Sequence, residues 1–116
     1  MDHWRTLSFG ATQQYLDFLE SQVESKLVGE LVLLYGQDDI LERNLTFEVP
    51  KYLPGWITIG DDSGGMGLLM QLDGSTAVYA CDHGAIGTLP PENIAESFHD
   101  WLAVGCPIEE LADEED

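Results

Sequence analysis

Two stretches of this chain carry residue types that could do chemistry. Asp61-Asp62-Ser63-Gly64-Gly65-Met66-Gly67 sets adjacent carboxylates beside a glycine-rich run, and Cys81-Asp82-His83-Gly84 sets a thiol, a carboxylate and an imidazole side by side. Carboxylates could hold a cation, glycines could cradle a phosphate, and a thiolate beside an imidazole could act as a nucleophile. The spacing speaks against each. A calcium loop of the EF-hand type needs oxygens at alternating positions and a distal Glu, whereas neutral residues follow Asp62. A phosphate loop ends in Gly-Lys-Ser/Thr; no lysine is near, and the carboxylates would repel a pyrophosphate. The stretch therefore reads as a turn, with a left-handed backbone expected at Gly64 or Gly65.

In the second stretch, strand alternation puts Cys81 and His83 on one side and Asp82 on the other. The reading is a strand end turning at Gly84, with His83 on the surface. An enzyme built on this pair would need Cys81 and His83 within hydrogen-bond reach. No Gly-x-Ser-x-Gly elbow is present, and Cys81 and Cys106, the two cysteines, lack the paired spacing of a zinc site. No catalytic residue, cofactor or metal is expected.

The elements that must position these residues follow from pattern. Thr12 is a candidate N-cap for a helix near 12–22 with Tyr15, Leu16, Phe18 and Leu19 at helical spacing. The apolar run Leu31 to Tyr35, closed by Gly36, reads as a buried strand. Asp38 or Asp39 would cap a short two-turn helix carrying Ile40, Leu41 and Leu45. Pro50 and Pro54 mark a connector. From Trp56 the period becomes two, with Trp56, Thr58 and Gly60 on one face and Ile57 and Ile59 on the other. Leu68 to Leu72 and Thr76 to Cys81 are the next strands, joined at Asp73-Gly74 by an expected type I′ hairpin. The meander is antiparallel. After Pro90-Pro91, the spacing of Ile94, Phe98, Trp101 and Leu102 predicts one amphipathic helix, ended by Gly105. Trp56 and Tyr79 are expected to pack on the sheet.

With 116 residues, 44% of them apolar, the chain can bury one core as a single domain of residues 1–108. Residues 109–116, dominated by acids, read as a disordered tail. No apolar run approaches the roughly 20 residues that span a bilayer, and the first residues hold no apolar signal-peptide core. A cytoplasmic protein with two free thiols is expected. Four Lys and Arg against 22 Asp and Glu leave a net charge of −18. Such a field repels nucleic acid and anionic lipid and attracts basic protein surfaces.

The strings "YLPGWITIGDDSGG", "VYACDHG" and "IAESFHDWL" resemble the SUKH superfamily, which includes a yeast cell-wall assembly regulator and many bacterial immunity proteins. "LVLLYGQDDILERN", ending at Asn44, is similar to that family's strand and short helix, and "YLDFL" to its first helix. Ala11-Thr12 stands where the family usually has Leu-Pro. The resemblance spans about residues 11–104 and implies an α+β domain, a mainly antiparallel sheet flanked by helices. It also implies binding rather than catalysis, with a toxin domain, often a nuclease, as the partner. On that reading Asp61 and Asp62 of the turn, with Asp38, Asp39 and Glu42 of the short helix, form the partner-binding face. The alternative is a regulatory scaffold or ligand-sensing domain unrelated to toxins.

Overall fold

The structure, a computed structural model, describes residues 7–28 and 31–107. The acidic segment 109–116 lies outside them. Helix α1 (Gln13–Glu20) starts at Thr12, whose Oγ1 accepts from the Gln14 N–H at 3.4 Å. Strands β1 (Lys26–Val28) and β2 (Val32–Leu34) form a pair, helices α2 (Gln37–Thr46) and α3 (Val49–Tyr52) follow, and β3 (Trp56–Asp61), β4 (Met66–Gln71) and β5 (Val78–Asp82) make the centre. A 3₁₀ turn at His83–Ala85, strand β6 (Glu92–Ala95) and helix α4 (Phe98–Ala103) follow among the described residues. The six strands of the described residues lie in sequence order in one antiparallel sheet, so the protein has an α+β fold.

One face of the sheet carries the main core. Leu34, Ile57, Ile59, Leu68, Met70 and Val78 meet Tyr15 and Leu19 of α1 and Phe98 and Trp101 of α4 there. Tyr15 meets Phe98 edge-on, with ring centroids 5.3 Å apart. Burying a side chain of this size stabilises by about 1.5–3 kcal/mol, so this layer dominates the stability of the domain. On the other face Leu69, Cys81 and Ile86 form a smaller cluster with Leu53 and Trp56. Trp56 packs edge-on against Tyr79 with centroids 4.9 Å apart, as expected.

Several expectations are corrected. The predicted helix after Pro91 is two elements. Residues 92–95 pair with β5 as a strand, because the edge of β5 offers an open hydrogen-bond ladder that extended backbone after two prolines can fill. Ser97 then caps the short α4, its Oγ accepting from the Asp100 N–H at 3.3 Å. Ile94 reaches the core from the strand; its helical phase with Phe98 was coincidental. Gly105 does end α4: its N–H donates to Leu102 O while Cys106 N–H donates to Trp101 O, a Schellman closure with Gly105 at φ 92°.

The cap of α2 is Gly36, and Asp38 and Asp39 lie in the first turn, where they face the helix dipole. Gly36 is needed because a Cβ there would strike the backbone of Val23 and Glu24. The connection between β4 and β5 is residues 72–77, longer than a two-residue hairpin. Asp73 does not take the positive φ a type I′ turn requires; its Oδ1 accepts from Ser75 N–H instead. In β3 a register shift between Thr58 and Gly60 inserts a bulge. Gly60 consequently pairs with Leu68 on the core face, opposite to the side Thr58 takes beside Leu69.

Candidate functional site

The turn between β3 and β4 is a turn, but not at the expected residue. Ser63, at φ 70°, holds the left-handed position, and neither Gly64 nor Gly65 has a positive φ. Three bonds fix Ser63 and its neighbours. Asp61 Oδ1 accepts from Ser63 N–H (2.8 Å), Asp62 Oδ1 from Gly64 N–H (2.8 Å), and Ser63 Oγ donates to Leu31 O (2.6 Å). Local carboxylate bonds of this kind offset the strain of a non-glycine residue there.

The second oxygen of Asp61 accepts from the Tyr35 hydroxyl at 2.7 Å. Burial of Tyr35, reinforced by that bond to Asp61, pushes its hydroxyl well above the ordinary tyrosine range. The Arg43 guanidinium lies over the Tyr35 ring at 5.8 Å, and its Nε is 3.6 Å from Glu42 Oε1. Asp61, Tyr35, Arg43 and Glu42 are therefore one neighbourhood. Of the five acids expected to form a binding face, the structure brings Asp61, Asp62 and Glu42 to one end of the sheet. Asp38 is exposed one helical turn before Glu42 and shares its side of α2. Asp39 departs from the group, because its carboxylate accepts from Ser25 Oγ, which in turn accepts from Gly36 N–H at 3.1 Å.

His83 is the largest departure from expectation. It is 8% exposed, not a surface residue. Its ring stacks on Phe47 with centroids 3.7 Å apart and 16° between planes. Nε2 lies 2.9 Å from Thr58 Oγ1, and that hydroxyl is 3.2 Å from Leu68 O. The direction of the Thr58–His83 bond follows the tautomer of the ring. The slot exists because position 67 is glycine: a Cβ on Gly67 would overlap the imidazole. Burial lowers the His83 pKa below its usual 6.5, against the pull of Asp61, Asp82 and Asp62, while Arg43 adds to the lowering.

Thr58 is itself clamped from behind. Asn44 Nδ2 donates to Thr58 O (3.0 Å) and to Ile40 O (2.9 Å), and Asn44 Oδ1 accepts from Thr58 N–H (2.9 Å). Strand β2 pairs with β3 at Gly60 and Asp61 and the Tyr35 N–H reaches Ile59 O, beyond which the fully buried Asn44 amide takes the Thr58 N–H and C=O in place of a strand. Asn44, Thr58, His83 and Phe47 thus lock α2 to the centre of the sheet. Sequence reasoning missed this relay. The available signal was Gly67 inside the apolar run "MGLLMQ", since an isolated strand glycine marks a close approach.

Cys81 and His83 make separate contacts. Cys81 Sγ is 3.6 Å from Asp82 O and 3.7 Å from Leu89 O. Burial, then the Asp82 charge, push its thiol up, and burial pushes the Cys106 thiol up to about 12. A thiolate–imidazolium pair needs the opposite shifts, a lowered thiol beside a raised imidazole. Among the described residues no group of three His, Cys, Asp or Glu is placed to hold a metal ion. Nor, among them, is any helix long and apolar enough to cross a membrane. In comparisons with known proteins, no protein-family model and no curated protein matches the chain.

Proposed function

We propose that this domain is a non-catalytic binding module of the immunity type, which covers a basic, nuclease-like toxin domain in the cytoplasm. The observation that supports this reading most is the net charge of −18, to which Asp61 and Asp62, bonded within their own turn, and the exposed Asp38 and Glu42 of α2 contribute. A nuclease must present a cationic surface to its substrate, and a strongly acidic domain competes for that surface and speeds encounter. Order matters because carboxylates already fixed by their own turns lose little freedom on binding. Asp61 is bonded through both oxygens and acts as a fixed charge, whereas Asp38 and Glu42 are exposed. The resemblance to the SUKH superfamily points to the same class of function. The test is capture of partners on the immobilised domain at low and at high salt, with identification by mass spectrometry. A basic nuclease-like protein held at low salt and released at high salt supports the reading; a neutral, salt-insensitive partner or none refutes it.

A further inference from the structure

At the β5–β6 end of the sheet lies an open notch of about 160 Å³ lined by Met66, Ala80, Cys81, Asp82, Leu89, Pro90 and Glu92. Strand register explains it. Leu68 pairs with Ala80, Ala80 with Glu92, and Met66 with Asp82, so Met66, Ala80, Asp82 and Glu92 share one face. Ala80 is the small residue among them, and the hollow lies over it. Asp82 and Glu92 are diagonal neighbours across Ala80, which sets their backbones roughly 7 Å apart. Asp82 is fixed by its Oδ1, which accepts from Gly84 N–H at 2.7 Å. The Cys81 thiol, in contact with Leu89 O, ties down the wall that carries the 57%-exposed Leu89 side chain.

We infer that this notch receives the guanidinium of an arginine on the basic partner. The inference rests on the reading of the domain as a binder of basic protein and names the anchoring contact. A cavity of about 150 Å³ accommodates benzene, so the volume suits a planar guanidinium. Apolar walls from Met66, Leu89 and Pro90 sheathe the aliphatic stem, while Asp82 and Glu92 receive the two edges of the planar cation. An ammonium is a point charge and cannot bridge both carboxylates, so arginine is preferred over lysine. Buried, pocketed arginines are among the residues that dominate interface energies.

The experiment uses the free domain and needs no partner. N-acetyl-arginine-N′-methylamide is titrated into ¹⁵N-labelled protein, with the citrulline and lysine analogues in parallel. A probe of this size binds with Kd in about the millimolar range. The expected result is saturable amide shifts confined to residues 66, 80–82, 89 and 92, prolines 90 and 91 having no N–H. Glu92→Gln, an exposed substitution, weakens binding at least 5-fold, and Leu89→Ala weakens it while leaving the citrulline response absent. Asp73→Asn, on the distant β4–β5 connection, leaves it unchanged. Equal shifts with lysine, non-saturable shifts spread over the surface, or equal loss with Asp73→Asn would overturn the inference. Those outcomes leave the salt-dependent capture of a partner untouched, so the two claims fail separately.

Discussion

Gly67→Ala tests the buried relay at its tightest point. The added methyl overlaps the His83 imidazole, whose other side is closed by Phe47. The ring must leave its slot, since neither the β4 backbone nor Phe47 can retreat without opening the packed sheet face. Leaving breaks the 2.9 Å bond between His83 and Thr58. An unsatisfied buried partner costs about 1–3 kcal/mol, and the lost stack about 0.5–1.5 kcal/mol. Replacing glycine in a strand returns about 0.5–1 kcal/mol. The net loss is roughly 2–3 kcal/mol, or about 2 M in the urea midpoint at an m-value near 1–1.5 kcal/mol/M. The assay is equilibrium urea unfolding followed by tryptophan fluorescence, run on Gly67→Ala, His83→Ala and the double variant. With the ring removed, Gly67→Ala becomes neutral or stabilising by about 0.5 kcal/mol. A Gly67→Ala protein as stable as the parent, or one equally destabilised with and without His83, would refute the reasoning.

Three further outcomes are expected. Because burial holds the folded His83 pKa below 6.5, the unfolded chain binds the extra proton first. Stability attributable to His83 is therefore present above pH 6.5 and falls as pH drops from there towards the folded pKa. Urea midpoints measured at pH 7.5 and 5.5 should show a loss in the parent that His83→Gln lacks; equal pH dependence would contradict this. The Tyr15 hydroxyl is fully buried and bonds to no partner among the described residues. Tyr15→Phe should thus raise stability by about 1 kcal/mol in the same assay, and a loss of that size would show a partner for the hydroxyl. Cys81 and Cys106 are 5% and 2% exposed with thiols pushed up. Ellman's reagent should modify both only upon unfolding, and fast native reaction at Cys81 would mark an accessible thiolate.

Much of the fold was legible because apolar spacing and turn residues agree locally. Thr12 caps α1, Gly36 closes the buried strand, and Gly105 closes α4, each visible without the partner elements. What escaped depends on distant register. Ile94 fits a helical stripe with Phe98, and only the open edge of β5 makes 92–95 a strand. The bulge at Ile59 reverses the face of Gly60, an event that alternation alone cannot reveal. The hairpin glycines drew attention to Gly64 and Gly65, while Ser63 takes the left-handed position because Asp61 and Leu31 O hold it there. The burial of His83 follows from Gly67 and Phe47, far apart in the chain, and the ladder role of Asn44 follows from β2 leaving β3 early. The acids of the candidate face were readable as types, but Asp39 turned out to be engaged with Ser25.

The proposed function stands or falls on charge-dependent recognition. The most direct measurement is calorimetric titration of the captured partner into the domain across a salt series, with its nucleic-acid cleavage assayed in parallel. The account predicts saturable association that weakens steeply with salt, a shallower slope for Asp38→Asn/Glu42→Gln/Asp61→Asn/Asp62→Asn, and loss of cleavage at stoichiometric domain. Binding with the same salt slope in that variant, or binding that leaves cleavage intact, would contradict it.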